Sequence, residues 1–84
     1  MDNYITVLDN IDLQTALKKI GFEPIGSGWY ENKEQRIKIR LWLNCEIDFW
    51  RARYDDNELR FRGQINTFND VLFVLDRCFD YTPR

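Results

Sequence analysis

The sequence predicts a two-layer α+β fold, in which an antiparallel four-stranded meander sheet is flanked by an N-terminal and a C-terminal helix. Three observations lead to this fold class. Apolar residues alternate with charged or aromatic ones between positions 36 and 62, whereas the apolar spacing is helical before that stretch and again after position 67. At 84 residues the chain is expected to form one domain, residues 1–84.

The first helix is predicted over residues 10–20. Its apolar residues repeat at the spacing of one helix face, namely Leu13, Ala16, Leu17 and Ile20. Gly21 followed by Phe22 is typical of a left-handed helix end, and Pro24 prevents the helix from restarting. Residues 1–8 contain strand-forming side chains but no adjoining tight turn, so an edge strand and a helical lead-in both remain open.

The four strands are predicted at residues 29–31, 36–43, 46–54 and 59–64, with a fifth strand left open. Residues 25–28 are interpreted as a flexible connector, residues 44–45 as a two-residue hairpin loop and residues 55–58 as an acidic turn. Arg51 and Arg53 fall on the face that Ile47 and Phe49 are expected to bury. We therefore expect a bulge or an overhang near residues 50–52.

The last helix is predicted over residues 67–80. Thr67 and Asp70 have the spacing of a capping box. The apolar stripe that follows consists of Phe68, Val71, Leu72, Leu75 and Phe79. Phe73 lies well off this stripe, so it is expected to be exposed beside Val74 and Tyr81, either under a folded N-terminal segment or against a second copy or a partner.

Composition excludes several function classes. Twelve basic against fourteen acidic side chains give a formal charge of −2, which argues against a general polyanion-binding protein. The chain has no histidine, and Cys45 and Cys78 have no metal-ligand spacing, so we expect no metal, no cofactor and free thiols in preference to a disulfide. No nucleophile stands near a base, which argues against an enzyme. No long apolar run predicts a membrane span, and we expect a cytoplasmic protein.

The main candidate site is the sheet face that the helices do not cover. Its cationic and aromatic residues are expected to be Arg36, Lys38, Arg40, Trp42, Trp50, Arg60 and Arg62. Arginine and tryptophan dominate protein interfaces, so we expect a larger protein partner, with Phe73 as a further contact. The same residue types can bind single-stranded nucleic acid, which is the alternative function. A third interpretation is a solvated face on which pairs such as Arg40 with Asp48 hold the register. A monomer and a homodimer are both left open.

The order of elements also supports a resemblance. Residues 17–22 (Leu-Lys-Lys-Ile-Gly-Phe) close the first helix, and residues 63–67 (Gly-Gln-Ile-Asn-Thr) connect the meander to the capped last helix. This arrangement resembles small accessory proteins of bacteriophages and other mobile elements, a group that includes anti-CRISPR and related anti-defence inhibitors. The resemblance implies a non-enzymatic protein that occupies a surface of a larger partner in the host-cell cytoplasm, and it carries over no functional residue.

Overall fold

The computed structural model describes residues 10–79, except for the side chains of residues 10–12 and of Cys45. In chain order the elements are α1 (Asn10–Lys19), β1 (Glu23–Gly26), β2 (Trp29–Asn32), β3 (Ile37–Leu41), a 3₁₀ turn (Leu43–Cys45), β4 (Glu46–Ala52), β5 (Asn57–Gln64) and α2 (Phe68–Phe79). The sheet is antiparallel with the order β1-β2-β3-β4-β5. The predicted α+β class is therefore confirmed, with one strand more than the four predicted. The predictions for residues 1–8 and for Tyr81 lie outside the described residues.

The additional strand is β1, which falls partly on residues predicted to be a flexible connector. It pairs with β2 through a tight turn at Gly26, Ser27 and Gly28, all three of which have positive φ angles. Gly28 also lies against the backbone of Leu41, where a Cβ atom would be 3.1 Å from the carbonyl oxygen. The glycines therefore form a hairpin turn, which the sequence pattern did not distinguish from a linker.

Both helices pack on the same face of the sheet, here called the inner face. Its fully buried side chains are Leu13, Leu17, Ile37, Ile39, Ile47, Phe49, Val71 and Leu75. Phe49 is at the centre, with its ring centroid 5.7 Å from that of Phe61 and 6.4 Å from that of Phe79. Alternation along β3 and β4 thus buries Ile37, Ile39, Leu41, Ile47 and Phe49 as the sequence predicts. Leu43, predicted to continue this alternation, is instead 80% exposed, because β3 ends at Leu41 and Leu43 begins the loop. Phe73 is exposed as predicted, whereas Val74 beside it is buried.

A register shift between β4 and β5 changes the direction of one predicted site residue. Phe49 pairs with Phe61 and Trp50 pairs with Leu59, so Arg60 is an extra residue on β5. The bulge therefore lies on β5, across from the β4 residues where it was expected. Because of it, the Arg60 guanidinium reaches the C-terminal end of α2, where Nη1 donates to the Cys78 carbonyl oxygen at 2.8 Å. The predicted place of Arg60 on the uncovered face is wrong.

Two hairpin turns also differ from the prediction. The β3–β4 loop has three residues, closed by the Trp42 N–H donating to the Glu46 carbonyl oxygen, and its middle residue Asn44 has a φ of 60°. Arg36 ends the β2–β3 turn with a φ of 61° and therefore precedes β3, although it was predicted as the first residue of that strand. A left-handed conformation is unfavourable for a residue with a Cβ atom, so the sequence did not indicate it.

The start of α2 is capped as predicted. The Asp70 N–H donates to Thr67 Oγ1 at 3.2 Å, and the Thr67 N–H donates to Asp70 Oδ2 at 3.1 Å. Cys78, near the other end of the helix, is a free and partly buried thiol. Neither helix in the described part of the chain has the length and apolar character needed to span a membrane.

Candidate functional site

The sheet face opposite the helices, here called the outer face, is the candidate site. Strand alternation and register assign to it Glu23, Trp29, Glu31, Lys38, Arg40, Trp42, Glu46, Asp48, Trp50, Ala52, Asn57, Leu59, Arg62 and Gln64. All three tryptophans of the chain are on this face. Among the described elements, none packs over it.

A buried carboxylate organises the centre of the outer face. Asp48 is 1% exposed and accepts hydrogen bonds from Trp42 Nε1 at 2.9 Å and from Arg62 Nε at 2.8 Å. Arg62 Nη2 donates a further bond to Asp48 Oδ2 at 3.1 Å, so the guanidinium binds both carboxylate oxygens. Bidentate pairs of this kind have a defined geometry. Trp42 and Arg62 are therefore held in fixed positions around Asp48.

The guanidinium of Arg40 lies between two indole rings. Its Cζ atom is 4.1 Å from the Trp42 ring centroid and 5.4 Å from that of Trp29, which is its neighbour on β2. Contacts of this length are cation–π interactions. Arg40 is also directly opposite Asp48 in the β3–β4 register. The third interpretation given above, cross-strand pairing that holds the register, therefore matches the geometry at this position.

The electrostatics of Asp48 result from opposing causes. Burial alone raises the pKa of its carboxyl group, but hydrogen bonds from Arg62 and Trp42 and the charges of Arg62 and Arg40 together lower it below the ordinary value of 3.8. The same hydrogen bond, with the charge of Asp48, raises the pKa of Arg62. Both groups are therefore charged near neutral pH.

The outer face exposes apolar surface beside this network. Trp42 is 41% exposed and Leu59 is 40% exposed, while Leu43 in the adjoining β3–β4 loop is 80% exposed. Trp29 and Trp50 contact each other with ring centroids 6.1 Å apart. The Nε1 atom of Trp50 is buried and has no hydrogen-bond partner among the described residues, which is energetically unfavourable for a donor.

The outer face brings together five of the eight predicted site residues, namely Lys38, Arg40, Trp42, Trp50 and Arg62. Phe73 is on α2, in the opposite layer, where it is 58% exposed with the Arg77 guanidinium 5.0 Å from its ring. Arg36 and Arg60 are elsewhere too. They line an open depression of about 380 Å³ at the end of the sheet, together with Arg51, Ala52, Arg53 and Tyr54.

Sequence reasoning missed two residues that shape the outer face. Trp29 precedes the buried Tyr30, and alternation within β2 would have placed its ring beside Arg40. Asp48 was considered only as a pairing partner, although its position between Ile47 and Phe49 predicts the same face. Four acidic side chains (Glu23, Glu31, Glu46 and Asp48) against three basic ones (Lys38, Arg40 and Arg62) give the outer face a small net negative charge, so the cations of the sheet do not make this face basic.

Among residues 10–79, no group of three or more His, Cys, Asp or Glu side chains is placed to hold a metal ion. The chain was also compared with known proteins. No protein-family model, no curated protein and no solved structure matches it.

Proposed function

We propose that this chain is a small, non-enzymatic binding protein that engages a larger protein partner through the outer face and acts by occupying a surface of that partner. The observation that supports this proposal is that all three tryptophans lie on the one sheet face that neither helix covers. Large aromatic side chains are normally used to fill a core. A chain of 84 residues that keeps three indoles on an open face favours a binding role.

The geometry of the outer face supports a protein partner in a second way. Trp42 and Arg62 are fixed by Asp48, and Arg40 is fixed between Trp29 and Trp42. Residues held in place before binding lose little conformational entropy on binding. Tryptophan and arginine at the centre of a patch are also the residue types that contribute most of the binding energy at protein interfaces.

The charge of the outer face favours protein over single-stranded nucleic acid. Of the predicted cations, Arg62 is neutralised by Asp48 and Arg60 binds a carbonyl group at the end of α2. Arg36 lies in the β2–β3 turn, outside this face. Lys38 and Arg40 remain, with Glu23, Glu31 and Glu46 on the same face. Nucleic-acid affinity depends on cations that neutralise phosphates, and this face has no excess of them.

The proposal includes a cytoplasmic location and the role of a bacteriophage-type accessory protein or inhibitor. The free thiol of Cys78 supports a reducing compartment. The resemblance described above supports the inhibitor role, and a steric mechanism requires only that the outer face cover a functional surface of the partner.

The proposal is tested by affinity capture from a host lysate with nuclease treatment and matched variants. Trp42→Ala removes the most exposed indole of the outer face, and Tyr54→Ala removes an aromatic ring that is 94% exposed outside it. We expect a discrete protein to be captured after nuclease by the wild type and by Tyr54→Ala. With Trp42→Ala, binding of that protein should weaken about tenfold or more.

Three outcomes would contradict the proposal. Capture that disappears with nuclease would indicate a nucleic-acid ligand, and its affinity would then fall steeply with salt. Equal binding by Trp42→Ala and the wild type would place the contact outside the outer face. Loss of binding with Phe73→Ala alone would place it on α2.

A further inference from the structure

The two edges of the sheet differ in whether they can accept another strand. β1 is a four-residue edge strand that contains Pro24 and an irregular register against β2. Proline and short length protect an edge from pairing. β5 is the opposite edge, with eight residues, no proline and, among the described elements, no strand on its far side. Within residues 10–79, the β5 edge is therefore the one that can accept another strand.

The hydrogen-bond pattern shows which backbone groups of β5 point to that open edge. The Trp42 N–H donates to the Glu46 carbonyl oxygen and the Ala52 N–H donates to that of Arg36, so the even-numbered residues of β4 bond to β3. The odd-numbered residues of β4 therefore bond to β5, at Gly63, Phe61 and Glu58. The β5 residues whose N–H and C=O groups point away from β4 are Asn57, Leu59, Arg62 and Gln64.

We propose that the β5 edge binds the β5 edge of a second copy of this chain, antiparallel and about a two-fold axis. When two β5 strands run antiparallel, the residues whose backbone groups point outward on one strand lie opposite such residues on the other. Asn57 is placed opposite Gln64 of the second copy, and Leu59 opposite Arg62. The two residues between Leu59 and Arg62 are matched by the same two residues of the other strand, so the bulge in one copy faces the bulge in the other. Up to about eight backbone hydrogen bonds form in this register.

Side-chain charge favours the same register. Arg62 is opposite Leu59 of the second copy and Arg60 is opposite Phe61, so no arginine directly faces an arginine. A shift of one residue in either direction sets Arg60 against Arg60 or against Arg62, and it also brings outward groups opposite inward ones. The bulge and the two arginines disfavour pairing of β5 with most other strands. In the symmetric register they are tolerated, because bulge faces bulge and no arginine faces an arginine.

This pairing has a consequence for the outer face. A two-fold axis perpendicular to the sheet leaves the helices of both copies on one side and the tryptophans of both copies on the other. The two outer faces then form one continuous surface. A contact made of one eight-residue strand per copy is in the weak class of interfaces, below about 1,200 Å² of buried area, so the dimer should dissociate on dilution.

The proposal is tested by sedimentation velocity and amide hydrogen exchange on the full chain from micromolar to millimolar concentration. We expect a reversible shift from monomer to dimer as concentration rises. In parallel, the amides of Leu59, Arg62 and Gln64 should become at least tenfold more protected, while amides at the β1 edge should not change.

Matched variants separate backbone pairing from side-chain contact. Leu59→Pro and Leu59→Ala both remove the leucine side chain, but only proline removes the outward N–H group. We expect Leu59→Pro to abolish the dimer and Leu59→Ala to retain it. Gln64→Pro and Gln64→Ala form a second pair, which decides the question if Leu59→Pro fails to fold.

Three results would overturn the proposal. One is a monomer at every concentration with unprotected β5 amides. Another is protection of those amides in a monomer, which would mean that the edge is covered within one chain or by a different ligand. The third is a dimer that both proline variants retain, which would place the dimer contact on another surface.

Discussion

The two faces of the sheet use different chemistry to order their side chains. The core of the inner face consists of aliphatic and aromatic residues, most of which are buried under the two helices, with Phe49 at its centre. Neither α1 nor α2 covers the outer face, yet Asp48 at its centre is 1% exposed, because Trp42 and Arg62 extend over it. The inner face is ordered by removal of apolar surface from water, and the outer face is ordered by hydrogen bonds and charge around one carboxylate.

This difference also separates stability from function. A buried apolar face has to remain covered, so its side chains are not available to a partner. A face ordered by a local hydrogen-bond network keeps its shape while it stays accessible. The comparison predicts that substitutions on the inner face mainly change the free energy of unfolding, while substitutions on the outer face mainly change the geometry of the binding surface.

The largest effect is expected from Phe49→Ala on the inner face. Removal of a fully buried ring that contacts Phe61 and Phe79 should lower the free energy of unfolding by about 3–5 kcal/mol. Urea titration followed by far-UV circular dichroism measures this loss. Leu59→Ala, on the outer face and 40% exposed, is the control and should cost about 1 kcal/mol or less. Equal losses in the two variants would contradict the comparison.

A smaller effect is expected from Asp48→Asn on the outer face. The amide keeps the shape of the carboxylate but removes its charge and one of its acceptor oxygens, so Trp42 and Arg62 lose charge-assisted hydrogen bonds. The free energy of unfolding should fall by about 2 kcal/mol. In proton–nitrogen NMR spectra the indole N–H signal of Trp42 should move, while the backbone signals of α2 stay in place. Large changes in α2 would show that the two faces are not independent.

The contribution of Asp48 should also depend on pH. Because its pKa is lower in the folded protein than the ordinary value of 3.8, folding is stabilised by this group above pH 3.8, and this contribution is lost as the pH falls through the folded-state pKa. The difference in unfolding free energy between the wild type and Asp48→Asn should therefore be constant near neutral pH and decrease below pH 3.8. Parallel urea titrations across the acid range measure it. A difference that grows with acidification would contradict the assignment.

The smallest effect is expected from Arg36→Gly, outside both faces. Arg36 has a φ of 61°, which glycine adopts without a steric penalty, so the free energy of unfolding should rise by up to about 1 kcal/mol. Thermal unfolding measures the change. Since Arg36 is not part of the outer face, partner capture should be unchanged. Loss of partner capture with Arg36→Gly would show that Arg36 contributes to the binding surface.

Most of the fold could be predicted from the sequence because it depends on periodicity. Alternation in β3 and β4 identifies the inner face, and helical spacing with a Thr67–Asp70 cap identifies α2. The strand β1 could not be predicted in this way. Its four residues are all exposed and have no apolar alternation, so only pairing with β2 makes them a strand.

The candidate site was less predictable because it depends on long-range register. Nothing in the local pattern of β5 shows that Arg60 is an extra residue, since the bulge arises from pairing with β4. Charge counting along the chain likewise treated Arg62 as a free cation, although Asp48, fourteen positions away, neutralises it. Residues 37–41 of β3 were placed correctly, because their direction depends on their own strand, whereas Arg36 and Leu43 at the ends of the predicted strand belong to turns.

The placement of the tryptophans has an optical consequence. The chain has three tryptophans, and all of them are on the outer face, so its intrinsic indole fluorescence originates from that face alone. Trp29 and Trp50, with ring centroids 6.1 Å apart and ring planes inclined at 48°, are close enough for their excited states to couple. A ligand that covers the outer face should therefore shift the emission and alter the near-ultraviolet dichroism. Binding at the outer face can therefore be measured by intrinsic fluorescence, without an attached label.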